Sequence, residues 1–455
     1  RYGGCRYLSA CQYGRMIEDG ETCECVCCGC SFSNFMYHVG PYYNGSETTL
    51  PLISLYDGGR DCGFQFAAPA DAFIPGLHFE YSNRGGYAWG SQRKDDPALY
   101  PHLDVIHNFV GLHGTQPCRI PMEIYAGNGC YRELLGQYVA AYQPMFFPKC
   151  DKIWERVGTF FCGGINLAFE DELRKFYKAV GGKYLELHGH FKYYGKYYNE
   201  GEWETLSSYE MNLLRKHGKA GTVDPNTSLA PKTLNQDTLK KGMKILKDDG
   251  ISTHIYFNFT DGDRFEYSPN FPDSINLDED GKPWPSGWRF CDNIHAHPGS
   301  KAWDDFQQQA ETLLNEYPDA DGFFFDCFRH YDFDFGWSDG ITMINNKPAS
   351  CVNFSMSKLA TEIMKRAHAK GKDSFANKPR TTTSMADVDG MLLEGDGRRS
   401  EMYYYYTTLA KPNFYMWGSG VLDVEDCLKR AVVLASFPNM PSRKEIGRAS
   451  CRERV

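Results

Sequence analysis

The chain has 455 residues, 42% of them hydrophobic, enough to bury more than one core. A net charge of −9 and a pI near 5.8, with no basic stripe, argue against nucleic acid as a partner. No apolar run reaches the roughly 18 residues a spanning helix needs, so no membrane partner is expected either.

In chain order, the first feature is a cysteine cluster. Of 17 cysteines, seven fall in the first thirty residues: Cys5, Cys11, Cys23, Cys25, Cys27, Cys28 and Cys30. The closely packed last five give only overlapping C-x-x-C spacings, Cys25/Cys28 and Cys27/Cys30, not the two separate pairs of a structural zinc site. Residues 1–32 are therefore read as a Cys-rich segment of doubtful authenticity. Because the sequence opens on Arg1, nothing about localisation is read from this end. The remaining cysteines are scattered through core-like runs, which fits reduced, buried thiols.

Residues 33–146 carry short alternating runs, predicted as strands near 50–56, 63–67, 77–81, 105–112 and 120–125, punctuated by Asp57-Gly58, Gly85-Gly86 and Gly127-Asn128. They predict an antiparallel β-sandwich domain. A helix over about 131–142 leads through Pro144 and Pro148 into the next domain.

From 147 to 444 the pattern becomes strand, helix, strand, the mark of a parallel α/β fold. Strands are predicted at 158–162, 184–188, 251–258, 322–326, 374–377, 391–394, 413–417 and 437–440. Helices are predicted near 170–180, 239–247, 302–316, 355–370 and 424–436. Seven repeats and the start of an eighth predict a (β/α)8 TIM barrel, truncated in the eighth repeat. The run Glu445 to Val455 resembles a translated sequencing-adapter oligonucleotide, so the genuine chain is expected to continue beyond about Lys444.

In such a barrel, chemistry gathers at the C-terminal ends of the strands. Those ends carry His188, Asn258, Asp326, Asn377, Glu394 and Trp417. Two share a pattern: Asp319-Ala-Asp321-Gly322-Phe-Phe-Phe-Asp326 and Asp387-Val-Asp389-Gly390-Met-Leu-Leu-Glu394. Each reads D-x-D-G, three apolar residues, then a carboxylate at the rim. Equal spacing predicts equal height, on strands two apart. A carboxylate pair is what glycosidic cleavage needs, one group attacking the anomeric centre and one protonating the leaving oxygen. Asp396, two residues beyond Glu394, competes for the acid role. An aromatic content of 15% suits stacking on sugar rings.

The β-domain followed by a barrel, with the G-F-F-F-D strand, resembles the clan of retaining α-glycosidases typified by melibiase-type α-galactosidases. The resemblance implies an Asp nucleophile ending strand four, which falls on Asp326, and an acid/base ending strand six, which falls on Glu394 or Asp396. That clan generally uses Asp for the second role, and its tryptophan-rich signature is absent here.

A carbohydrate substrate then predicts contacts from His188, His190, Asn258, Arg289, Asp292, Arg329, His330, Lys378, Arg398 and Trp417, which lie at strand ends or in the loops beside them. No cofactor and no metal are expected. Two other readings remain open. His188-Gly-His190 is how a metal-dependent hydrolase barrel begins its site, although later strand ends lack further His ligands. A non-catalytic carbohydrate-binding barrel is the third.

Overall fold

A computed structural model describes residues 5–11, 17–18, 31–33, 48–57, 61–74, 77–82, 102–107, 119–128, 131–217, 232–284, 286, 290–328, 333–379, 381–395, 410–417, 428–429, 431–432 and 435–438. Ahead of the barrel lie two antiparallel sheets. Ile17–Glu18, Cys5–Cys11, Thr48–Asp57, Cys62–Ala67 and Glu123–Gly127 form one in that order, and Ser31–Ser33, Leu77–Ser82 and His102–His107 the other. The sheet thus begins inside residues 1–32, ahead of the boundary expected at 33, because Cys5–Cys11 pairs with Thr48–Asp57.

The rest is one sheet of eight parallel strands, taken in chain order: β1 Thr159–Gly163, β2 Gly182–Leu187, β3 Ser252–Asn258, β4 Gly322–Asp326, β5 Asp373–Asn377, β6 Gly390–Gly395, β7 Asn413–Trp417 and β8 Phe437–Pro438. β8 lies against β1, so the sheet curls nearly into a closed barrel. Every residue of β3, β4 and β5 is buried, which explains their continuous apolar runs. The helix expected over 424–436 lies mostly outside the described residues, as does the chain from 439 onward.

Outside the sheet run α1 Asp171–Ala179, α2 Gln236–Asp248, α3 Lys301–Glu316 and α4 Val352–Ala369. The starts of α2 and α3 follow from capping: Asn235 accepts from Thr238 N–H, and Ser300 accepts from Trp303 N–H. No helix among the described residues is long and apolar enough to cross a membrane.

Inside the barrel, alternate residues stack in layers. Phe160, Tyr184, Phe375 and Phe414 form an aromatic layer, with Tyr184 4.7 Å from Phe375 and 4.6 Å from Phe414 between ring centroids. Beneath it Asp373, fully buried, accepts from His254 and Arg156. Gly322 is demanded by this crowding, since a Cβ there would lie 1.7 Å from the Asp373 carbonyl oxygen. The aromatic layer closes the barrel from below and leaves its C-terminal mouth for polar side chains. The long excursions all lie at that mouth, as short antiparallel pairs: Glu202–Glu204 with Thr233–Asn235, Asp261–Asp263 with Cys291–Asn293, and Phe333–Asp334 with Ser350–Cys351.

Candidate active site

Asp326 ends β4 with 8% of its surface exposed. Both carboxylate oxygens are held from neighbouring strands. Tyr256 Oη on β3 donates to Oδ2 at 2.8 Å, and Asn377 Nδ2 on β5 donates to Oδ1 at 2.7 Å. Two fixed donors leave the carboxylate one orientation, as a positioned nucleophile requires. Immediately past the two strand ends, Cys327 and Lys378 take left-handed backbone, φ 54° and 55°. For residues with a Cβ, such conformations cost about 1–3 kcal/mol each and collect at functional sites. Here they turn the chain sharply just where Asp326 and Asn377 face each other.

Tyr256 was not singled out by the sequence, yet it is the hinge of the site. It shares a face with His254 and Asn258 by the strand period of two, a signal that a reading of the last residue alone passes over. Its ring meets the His188 ring edge-on at 4.5 Å and stacks on Phe191 at 5.4 Å. Beside it, Glu186 is 4% exposed, and its Oε1 lies 3.1 Å from His188 Nδ1. Burial raises the Glu186 carboxyl above its ordinary range, His188 and Cys162 pull it back, and the charge of Asp326 adds to the rise. Thus Cys162, Glu186, His188, Tyr256, Asp326 and Asn377 line one arc of the mouth, supplied by β1 to β5.

Several expected substrate contacts have other employment. Asn258 is fully buried. Its Oδ1 accepts from Thr260 N–H at 2.8 Å and Asp261 N–H at 3.2 Å, while Nδ2 donates to Asp261 at 2.7 Å, so it shapes the turn after β3. His190 is 2% exposed, with its ring nitrogens 3.1 Å from the Leu187 and Tyr197 carbonyl oxygens. Burial lowers its pKa to about 4, so the ring is neutral at pH 7 and braces the loop. His190 therefore does not serve beside His188 as the metal-hydrolase reading has it: β2 ends at Leu187, Gly189 takes φ 67°, and both His190 ring nitrogens face backbone carbonyls. Asp292 pairs with Arg264 Nε at 2.8 Å. At Lys378, by contrast, it is the backbone that is tied, its N–H donating to the Leu392 carbonyl at 2.9 Å.

The backbones of Glu394 and Trp417 are placed by the β6–β7 register, Glu394 beside Met416 and Gly395 beside Trp417. The side chains of those two residues, and Arg289, Arg329, His330, Asp396 and Arg398 altogether, lie outside the described residues.

A second arrangement looks catalytic but is sealed. Asp334 Oδ2 lies 2.7 Å from His295 Nδ1, and His295 Nε2 lies 2.9 Å from Ser355 Oγ. All three are at most 3% exposed, which leaves no room for a substrate at Ser355. They fasten the loop after β4 to the first turn of α4.

No family model matches the sequence, and no curated protein matches it. Solved structures do resemble the fold. The ligand-free α-N-acetylgalactosaminidase NagBb from Bifidobacterium bifidum superposes with a TM-score of 0.58 at 10% identity, over 97% of this chain and 71% of that one. A cycloalternan-degrading enzyme from Trueperella pyogenes in complex with isomaltose gives 0.55 at 12% identity, over 97% of this chain and 60% of that one. The same enzyme in complex with a covalent intermediate gives 0.51 at 12%, over 86% and 52%. At such identities the likeness is one of fold.

Proposed function

We propose that this chain is a glycoside hydrolase that cleaves α-linked sugars with retention, Asp326 attacking the anomeric carbon and Glu394 serving as acid and base. The observation that carries the reading is the grip on Asp326: a carboxylate at the rim of β4, with Asn377 donating to one oxygen and Tyr256 and the Cys327 thiol to the other. By contrast Asp321, at the opposite end of the same strand, is tied to Thr253 N–H and Arg156 and serves the fold. Support also comes from the fold neighbours, whose names describe enzymes of α-linked sugars and, in one case, a covalent intermediate. A covalent glycosyl-enzyme is the hallmark of retention.

The test is a panel of chromogenic α- and β-linked galactosides, N-acetylgalactosaminides and glucosides, with the first-formed anomer followed by proton NMR. Cleavage confined to α-linkages, with an α-anomer released first, is the expected result. Cleavage of β-linkages alone, or an inverted product, would overturn the reading.

Within this reading Tyr256 orients the nucleophile. A hydrogen bond to a charged group contributes about 1.5–3 kcal/mol. Tyr256→Phe should therefore lower kcat/KM by about 10- to 100-fold, with the loss in kcat rather than KM. An unchanged kcat would show that Asn377 alone suffices.

A further inference from the structure

Cys162, Glu186 and His188 stand together for a reason that can be read from the register. Glu186 pairs with Cys162 across β1 and β2, and His188, just past the strand end with its N–H still on the Gly163 carbonyl, sets Nδ1 3.1 Å from Glu186 Oε1, so all three meet. Cys162 and Glu186 face the barrel interior, because Phe160 and Tyr184, two residues earlier on each strand, meet at 5.5 Å within the aromatic layer. One ligand atom from each side chain, Sγ, a carboxylate oxygen and a ring nitrogen, falls within 4.8 Å of the other two. A tetrahedral ion with bonds of roughly 2.0–2.3 Å holds its ligand atoms about 3.3–3.8 Å apart, a small closure from this arrangement.

We propose that Cys162, Glu186 and His188 form a binding site for a borderline-soft divalent cation, zinc foremost, with three protein ligands and a fourth position open to the mouth. The donor set decides the class of ion. Calcium and magnesium demand oxygen ligands, whereas thiolate with imidazole selects zinc and its neighbours. Three ligands, not four, is the pattern of a zinc that keeps one position for water or substrate. The side chain of His188 is 20% exposed while that of Glu186 is 5%, so an ion has a way in from the mouth. His188 in turn touches Tyr256, the donor to Asp326, which places the ion one side chain away from the carboxylate. The site departs from the sequence expectation of no metal, and it stands independently of the glycosidase reading.

Cobalt reports such a site by colour, since a bound thiolate adds a charge-transfer band in the near ultraviolet to the visible bands of a tetrahedral ion. The five clustered cysteines near the N-terminus are a competing source of thiolate, so the titration is run on full-length protein carrying Cys23→Ser, Cys25→Ser, Cys27→Ser, Cys28→Ser and Cys30→Ser. One equivalent of cobalt with both bands, displaced by zinc, is the expected result. Adding Cys162→Ser should abolish the charge-transfer band. His188→Ala, read by competition with a chromogenic chelator, should weaken zinc by more than the roughly 100-fold that loss of an outer partner costs. Absence of the band in the protein with Cys162 intact overturns the proposal, whatever the site variants do, and leaves the three side chains a hydrogen-bonded cluster. A band that persists in Cys162→Ser overturns it too, by assigning the thiolate elsewhere. None of these readouts depends on sugar hydrolysis, so failure here and failure of the glycosidase reading are separable.

Discussion

Asp326→Asn should lower kcat on an α-glycoside by about 10⁴-fold or more, the scale on which loss of a nucleophile is felt, while sugar binding persists. Asn is the right replacement because of what holds the carboxylate. Tyr256 Oη and Asn377 Nδ2 both donate to it. With Asn at 326, the amide oxygen accepts from Asn377 and the amide N–H turns to the Tyr256 oxygen, whose hydroxyl can accept as well as donate. The change therefore keeps the Asn377 bond and the shape of the site, and displaces only the Tyr256 hydroxyl proton. Asp326→Ala instead strands two buried donors, at about 1–3 kcal/mol each, and confounds loss of chemistry with loss of fold. The readouts are initial rates, binding of an unhydrolysed sugar by calorimetry, and a thermal melt. Turnover that survives the change but falls with a chelator would point to a metal hydrolase. Binding without turnover in the unaltered protein would point to a carbohydrate-binding barrel. Loss of turnover with binding kept is the outcome that fits a nucleophile.

Much of the barrel was legible because its signals are local. The β4 strand, Gly322–Asp326, coincides with the predicted run, since three phenylalanines between a tight turn and a carboxylate fit a strand buried on both sides. The repeated D-x-D-G motif has a cause that the sequence did not disclose. Asp321 accepts from Thr253 N–H, at the second residue of β3, and Asp389 from Ser374 N–H, at the second residue of β5. Each aspartate ties the start of its own strand to the start of the preceding one. The equal spacing to Asp326 and Glu394 thus reflects a shared anchor at the closed end of the barrel.

What escaped the sequence depended on pairing between distant segments. Cys162, Glu186 and Tyr256 lie one or two residues inside their strand ends, and only the register shows that they meet. The His188-x-His190 spacing reads as one face of a strand only while the strand continues. It stops at Leu187, and a glycine at φ 67° sends His190 into the core beneath Trp203, whose Nε1 donates to the His190 carbonyl. Three-residue pairs such as Asp261–Asp263 with Cys291–Asn293 are too short and polar to leave a period.

Glu394→Gln is the second decisive change, and the leaving group separates it from Asp396→Asn. The backbone register argues for Glu394. Asn377 pairs with Leu392, and Phe325 with Ala376, so Asp326 is level with Leu392 along the hydrogen bonds. In a tilted barrel equal height climbs by about one residue per strand. The aromatic layer shows that climb: Phe375 pairs with Gly390, yet its layer partner on β7 is Phe414, one residue beyond the Met391 partner Asn413. Two strands on from Asp326, the same climb arrives at position 394, two beyond Leu392. For an acid at that height, Glu394→Gln should lower kcat/KM by about 10²- to 10⁴-fold on a glycoside with an alcohol leaving group, which must be protonated as it departs. On a dinitrophenyl glycoside, whose phenolate leaves without a proton, cleavage of the sugar bond should barely change. The basic limb of the pH–rate profile on the alcohol substrate should also vanish, because the group that titrates there has been removed. Asp396→Asn should leave both substrates within about tenfold of the unaltered enzyme, less than removal of a general acid costs. The reverse pattern, with the leaving-group dependence following Asp396, would move the acid two residues along the chain and leave Asp326 as nucleophile.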